Sequence, residues 1–190
     1  MFYARLKQGD LLRKLNEFPL AQQAYEELAN AFPKHPDILF AQLARAACHA
    51  AQAGVGQTAT GQQSGHVELA LGIYERLVDQ ADAPVDIRIE AGYNLGLLLS
   101  RRGKSEGKKR AESVWWQQVL TPFVLDDKPA KQLSARGRYW ASRTLLAVAE
   151  SFEAQSRSDQ AREAYILLIN RGLPGQAIAK ASLARLGALK

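Results

Sequence analysis

Apolar residues recur at three- and four-residue intervals along almost the whole chain, the spacing that places them on one face of a helix. Leu69, Ala70, Ile73, Tyr74, Leu77 and Val78 form one such stripe. Ala161, Ala164, Tyr165, Leu168 and Ile169 form a second, and Ala21, Ala24, Tyr25, Leu28 and Phe32 a third. No stretch alternates apolar and polar residues for long enough to argue for a strand. The stripes break at turn-forming residues: Pro33 and Pro36, Gly54 to Gly65, Pro84, Gly103 to Gly107, Pro122 to Pro129, and Leu173-Pro174-Gly175. The pattern predicts about nine helices, at roughly 2–16, 20–32, 37–53, 66–80, 86–102, 108–121, 130–155, 159–171 and 175–187. Asp37 and Asp86 follow breaks and are read as N-caps, because their carboxylates can accept from free backbone amides.

A finer pattern lies inside the stripes. Four times a small residue precedes a large aromatic by one turn: Ala21 and Tyr25, Ala70 and Tyr74, Ala111 and Trp115, Ala161 and Tyr165. In three of them an aliphatic residue follows three positions on, at Leu28, Leu77 and Leu168. A small residue lets two helices approach, and the aromatic fills the space in the adjacent hairpin, so these side chains are expected in the core. The aromatics stand 49, 41 and 50 residues apart. The polar insert Gly54 to Gly65, the turn Lys104 to Lys109 and the connection Thr121 to Arg138 absorb that irregularity. Inserts there leave stacking intact, since each hairpin needs only its neighbours. Trp115 and Trp116 are adjacent on a helix and cannot share a face. Trp115 is assigned to the core, and Trp116 to packing against the 130–155 segment that carries Tyr139 and Trp140.

These residues resemble the tetratricopeptide-repeat family, whose period is about 34 residues. Its pattern has a small residue in the first helix, then Ala, a large aromatic and another small residue in the second, and Pro at the repeat end. Tyr93 to Leu99 followed by Arg102-Gly103-Lys104 is the best first-helix match, with Gly96 in the small-residue place. Gly9, Ala21, Tyr25 and Pro33 fit in the first unit, and Leu43, Ala44, Ala47, Ala70 and Tyr74 in the second. Ala149, Phe152, Ala161, Tyr165 and Pro174 fit in the fourth. No unit carries the full signature. The resemblance implies an all-α, right-handed superhelix of about four hairpins, at 2–33, 37–83, 86–122 and 130–172, with a capping helix at 175–187. One domain is expected to cover 1–190.

It also implies a concave surface lined mostly by the first helix of each hairpin. That rule selects Arg45, Cys48 and His49 in the second unit, and Glu90, Tyr93, Asn94, Leu97 and Arg101 in the third. In the fourth it selects Arg143, Leu146, Glu150 and Glu153. Members that clamp a C-terminal carboxylate use Lys, Asn and Arg at fixed places. Asn94 and Arg101 are present without the rest of that set, so this specificity is not expected.

Composition changes the picture little. Hydrophobic residues make up 47% and charged residues 23%, ordinary for a globular chain. The net charge of +6 owes much to one basic segment holding Arg101, Arg102, Lys104, Lys108, Lys109 and Arg110. It is read as a solvated turn, with an anionic partner such as nucleic acid as the sharper alternative. Cys48, the single cysteine, excludes an intrachain disulfide and is read as a core or groove residue. His35, His49 and His66 show no metal-ligand spacing and are read as solvated or loop histidines. No glycine loop cradles phosphate, and no cofactor or metal is expected. Glu150-Ser151 resembles the Glu-Ser pair of lytic transglycosylases, but Ala149 and Phe152 around it are already repeat positions and no catalytic residue is assigned. The opening MFYARLKQGD has no apolar signal core. That fits a cytoplasmic protein, or an excerpt whose targeting segment has been removed. The expected function is non-catalytic: to hold a peptide, a protein partner or another copy of itself in the groove. A helical arm of a cell-envelope enzyme is the remote alternative.

Overall fold

The computed structural model describes residues 1–53, 61–102 and 105–188. Helices α1 (Phe2–Lys14) and α2 (Phe18–Ala31) form the first hairpin, and α3 (Ile38–Gln52) and α4 (Gly61–Asp79) the second. In the third, α5 (Val85–Arg101) packs on α6 (Ser105–Ser113) and on a π-helical stretch, Val114–Leu125, that continues α6. A short α7 (Asp127–Gln132) leads to the fourth hairpin, α8 (Ala135–Ala154) and α9 (Ser158–Asn170), and α10 (Gln176–Ala188) packs on α9. Helices touch mainly their neighbours in sequence. Beyond that, α1 touches α3, α3 touches α5, and α5 packs extensively on α8, so the first helices of successive hairpins stack as one layer. The described residues contain no strand. The architecture is an all-α helical-repeat superhelix.

The recurring aromatics hold it together. Tyr25, Tyr74 and Tyr165 are at most 2% exposed and Trp115 is 3% exposed. Two glycines lie directly against these aromatics. A Cβ on Gly9 would lie 2.6 Å from the Tyr25 ring, and one on Gly96 only 2.1 Å from Trp115 Nε1. Three of the four also find a polar partner nearby, which suits a buried aromatic N–H or O–H. Tyr25 donates to Asp10 (2.8 Å), Trp115 to the Tyr93 carbonyl (3.1 Å) and Tyr165 to Glu153 (2.7 Å). Burial and Asp10 push the Tyr25 phenol well above its usual range.

Three helix ends close in the same way. After α1, the Asn16 and Glu17 amides donate to the carbonyls of Arg13 and Leu12. After α8, Ser156 and Arg157 do so to Glu153 and Phe152, and after α9, Gly172 and Leu173 to Ile169 and Leu168. This is the Schellman arrangement, which needs a left-handed residue at its corner. Asn16, Ser156 and Gly172 supply it with φ of 62°, 59° and 59°.

Several expected boundaries move. The helix predicted at 66 begins at Gly61, because Gln62 and Gln63 have sound helix propensity; residues 54–60 of the polar insert lie outside the described residues. The expected basic turn is largely helix α6, with Glu106 in its first turn, where an acid suits the helix dipole. The helix expected at 108–121 becomes π-helical from Val114 and runs on to Leu125 through Pro122. Its buried residues are Val114, Trp115, Val119, Leu120, Phe123 and Val124. Those pairs recur after five and then four residues, wider than the α-helical 3.6, as the broader i→i+5 turn of a π-helix requires. Thr121 Oγ1 donates to the Trp116 carbonyl five residues back (2.8 Å). The single helix expected at 130–155 is split at Leu133, and Ser134 caps α8 by accepting from the Arg136 and Gly137 amides. The two aspartates make tertiary contacts instead of caps. Asp37 precedes α3 but its carboxylate accepts from Tyr3 (2.6 Å), and Asp86 lies inside α5 and accepts from Ser134.

Candidate functional groove

A hollow of about 430 Å³ opens on the layer of first helices. Tyr3, Leu6, Asp10 and Arg13 of α1 form one wall. From α3 come Phe40, Leu43, Ala44 and Ala47, with Asp37 at its start, and the far wall is Glu90 and Asn94 of α5 with Arg136 of α8. The small Ala44 and Ala47, one turn apart, leave room that larger side chains would fill. The floor is apolar and the rim charged, the composition of a recognition groove.

The rim groups are tied unequally. Arg136 pairs with Glu90 at 2.6 Å and lies 4.8 Å over the Phe40 ring. Burial raises the Glu90 carboxyl, and Arg136 and Trp140 pull it back. Arg13 stands 3.9 Å from Asp10 with its Nε buried and without a partner among the described residues. The Asp37 carboxylate has only the Tyr3 hydroxyl as a partner among them, while its backbone amide donates to His35 Nδ1 (3.1 Å).

Of the residues expected in the groove, Glu90 and Asn94 line it. Asn94 donates to the Glu90 carbonyl (2.9 Å), and its side-chain oxygen has no partner among the described residues. Tyr93 is buried below the same surface; its hydroxyl accepts from Arg143 (2.9 Å) and its ring centroid lies 5.2 Å from that of Trp140. Leu97 and Leu146 are half-buried against the core, and Arg101, Arg143 and Glu150 are exposed. Glu153 is taken by Tyr165 and Arg185.

In the second unit the expected residues lie away from this hollow. Arg45 turns to Glu26 of α2 (3.3 Å). His49 is 5% exposed, in contact with Gln22 of α2 and with His66 of α4, both ring contacts at 3.0 Å. Neither lines the groove, and His49 is not a solvated histidine. Cys48 is fully buried, and burial pushes its thiol up to about 11, so it is an unreactive core residue. The groove face of α3 is the stripe Phe40, Leu43, Ala44, Ala47. Tyr3, Asp10 and Arg13 lie outside the units from which the repeat rule selects groove residues, although Asp10 and Arg13 fall one turn apart on α1.

The basic segment is partly neutralised. Arg102 pairs with Glu68 (2.8 Å) and Arg110 with Glu75 (2.5 Å), while Arg101, Lys108 and Lys109 are exposed. Lys104 lies outside the described residues. Trp116 is half-buried and lines a second hollow of about 390 Å³ with Phe152 and Arg157, so it packs beside the 130–155 segment as expected. No helix among the described residues is long and apolar enough to cross a membrane.

Residues 3–35, the hairpin in which Gly9 meets Tyr25, match the family model described as Tetratricopeptide repeat. No curated protein and no solved structure matches the chain. Proteins of that family generally mediate protein–protein interaction.

Proposed function

We propose that this chain, which belongs to the tetratricopeptide-repeat family, is one non-catalytic helical-repeat domain over residues 1–190 that holds a peptide or protein partner in its concave groove. The observation that carries the reading is the hollow of about 430 Å³ between α1, α3, α5 and α8, apolar below and polar at the rim. An apolar side chain of the partner fills the space over Ala44 and Ala47 and supplies affinity. Asn94 and the charged rim fix its orientation. Arg143 and Glu150 extend the contact along α8. Binding of an anionic partner through Arg101, Lys108 and Lys109 is the weaker reading, because Glu68 and Glu75 already hold Arg102 and Arg110.

The test uses peptides selected from a random phage-displayed library against the whole protein. Ala44→Phe fills the hollow. Selected peptides are expected to bind wild type and to lose at least tenfold in affinity for the variant, with its thermal midpoint kept near wild type. Peptides indifferent to Ala44→Phe, or a library that yields no binder, would remove the groove from consideration.

A further inference from the structure

The charges lining the groove do not balance, and the imbalance is local. Three carboxylates, Asp10, Asp37 and Glu90, face two guanidinium groups, Arg13 and Arg136, a net charge of −1. Arg136 is committed to Glu90 at 2.6 Å, and Arg13 stands beside Asp10 at 3.9 Å. Asp37 is left with a neutral partner, the Tyr3 hydroxyl at 2.6 Å, and no cation among the described residues. Around it are aromatic faces: Tyr3 is 63% exposed, and Phe40 already carries Arg136 over its ring at 4.8 Å. A carboxylate beside an exposed phenol ring and an apolar floor is the surrounding that a lysine or arginine side chain seeks. Its stem lies on apolar surface, its charge meets the carboxylate, and the ring adds a cation–π contact.

We infer that the groove selects a peptide segment in which a lysine or arginine stands next to an apolar anchor, with Asp37 and Tyr3 taking the cation. The inference rests on the groove reading above. The overall charge of +6 does not oppose it. Exposed charges are screened beyond about 8 Å at physiological ionic strength, and Arg101, Lys108 and Lys109 lie at the far end of α5 and on α6. Lys34, three residues before Asp37, is exposed and lowers the attraction, but it makes no ion pair with the carboxylate among the described residues.

The library selection supplies the test. Peptides that compete for the groove are expected to carry Lys or Arg at a fixed place beside an apolar residue. Their affinity should fall about tenfold with Asp37→Asn, a change that keeps an acceptor for Tyr3 and a residue suited to begin α3. It should also weaken as salt is raised. Groove peptides that carry acidic or neutral residues there, or that ignore Asp37→Asn, overturn this inference and leave the groove reading standing. Peptides that ignore Ala44→Phe, or no binders at all, overturn both.

Discussion

At Gly96 a single hydrogen atom in place of a methyl group decides how closely α5 and the π-helical stretch can lie. Alanine is a better helix former by about 1 kcal/mol, which by itself predicts that Gly96→Ala stabilises. Packing reverses the sign. The new Cβ would sit 2.1 Å from Trp115 Nε1, on a side chain only 3% exposed whose N–H is bonded to the Tyr93 carbonyl. Moving that ring strands a buried donor and acceptor as well as opening space. A net loss of about 2 kcal/mol is expected, read as a lower urea midpoint at unchanged slope; an unchanged or higher midpoint would refute the packing account. Ser156 poses the opposite case. It holds φ at 59° where its counterpart after α9 is a glycine. The left-handed conformation costs a residue with a Cβ about 1 kcal/mol or more, while glycine costs extra backbone entropy. Ser156→Gly should therefore stabilise by about 0.5 kcal/mol, measurable as a slightly higher thermal midpoint. A fall would show that the serine side chain contributes something the corner alone does not explain.

The helices themselves were the part most legible beforehand, and the reasons for the failures differ. The stripes around Tyr25, Tyr74 and Tyr165 keep a helical period, so their helices were placed within a few residues. Val114 to Leu125 departs from expectation because a 3.6-residue period does not fit buried pairs that recur after five and then four residues. On α3 the expected and observed faces differ because Leu43, Ala44 and Ala47 also match the repeat signature and so read as scaffold. Only contact with α1 and α5 turns Phe40-Leu43-Ala44-Ala47, not Arg45-Cys48-His49, to the hollow. That misassigned face has its own consequence. His49 lies between Gln22 and Glu26 of α2, His66 of α4 and Arg45 of its own helix. Burial lowers its imidazole to about 4, with His66 and Arg45 acting in the same direction and Glu26 against them. The folded protein thus favours the neutral ring. Its contribution is complete above the unfolded value near 6.5 and is lost as pH falls from there towards 4. After allowance for solvent screening this amounts to on the order of 2 kcal/mol. Stability measured by urea unfolding should fall more steeply across that window in wild type than in His49→Gln. Equal slopes would mean that the ring is hydrated in the folded protein.

The core of the whole molecule is in two parts. Phe2, Ala21, Tyr25, Leu28, Ile38, Ala41 and Cys48 make a small cluster from α1, α2 and one face of α3. A larger cluster runs from Leu43 through α4, α5 and α8 to Leu186, and Leu39 packs against both. In a stacked repeat each hairpin is held by its neighbours alone, so its opening costs only the local interface. The first hairpin therefore opens without disturbing α5 and α8, and native-state hydrogen exchange should show it as a separate unit. Amides of α1 and α2 are expected to exchange with a lower opening free energy and a smaller urea dependence than those of α5 and α8. One common value for all four helices would contradict a divided core. Because Tyr3, Asp10 and Arg13 on α1 form a wall of the groove, opening that hairpin also destroys the site. A groove ligand binds only the closed form and must slow exchange in α1 and α2 according to its saturation. Amides of α9 and α10, which lie outside the groove, should gain no more protection than global stabilisation confers. Ligand protection confined to α9 and α10 would place the binding surface away from this groove.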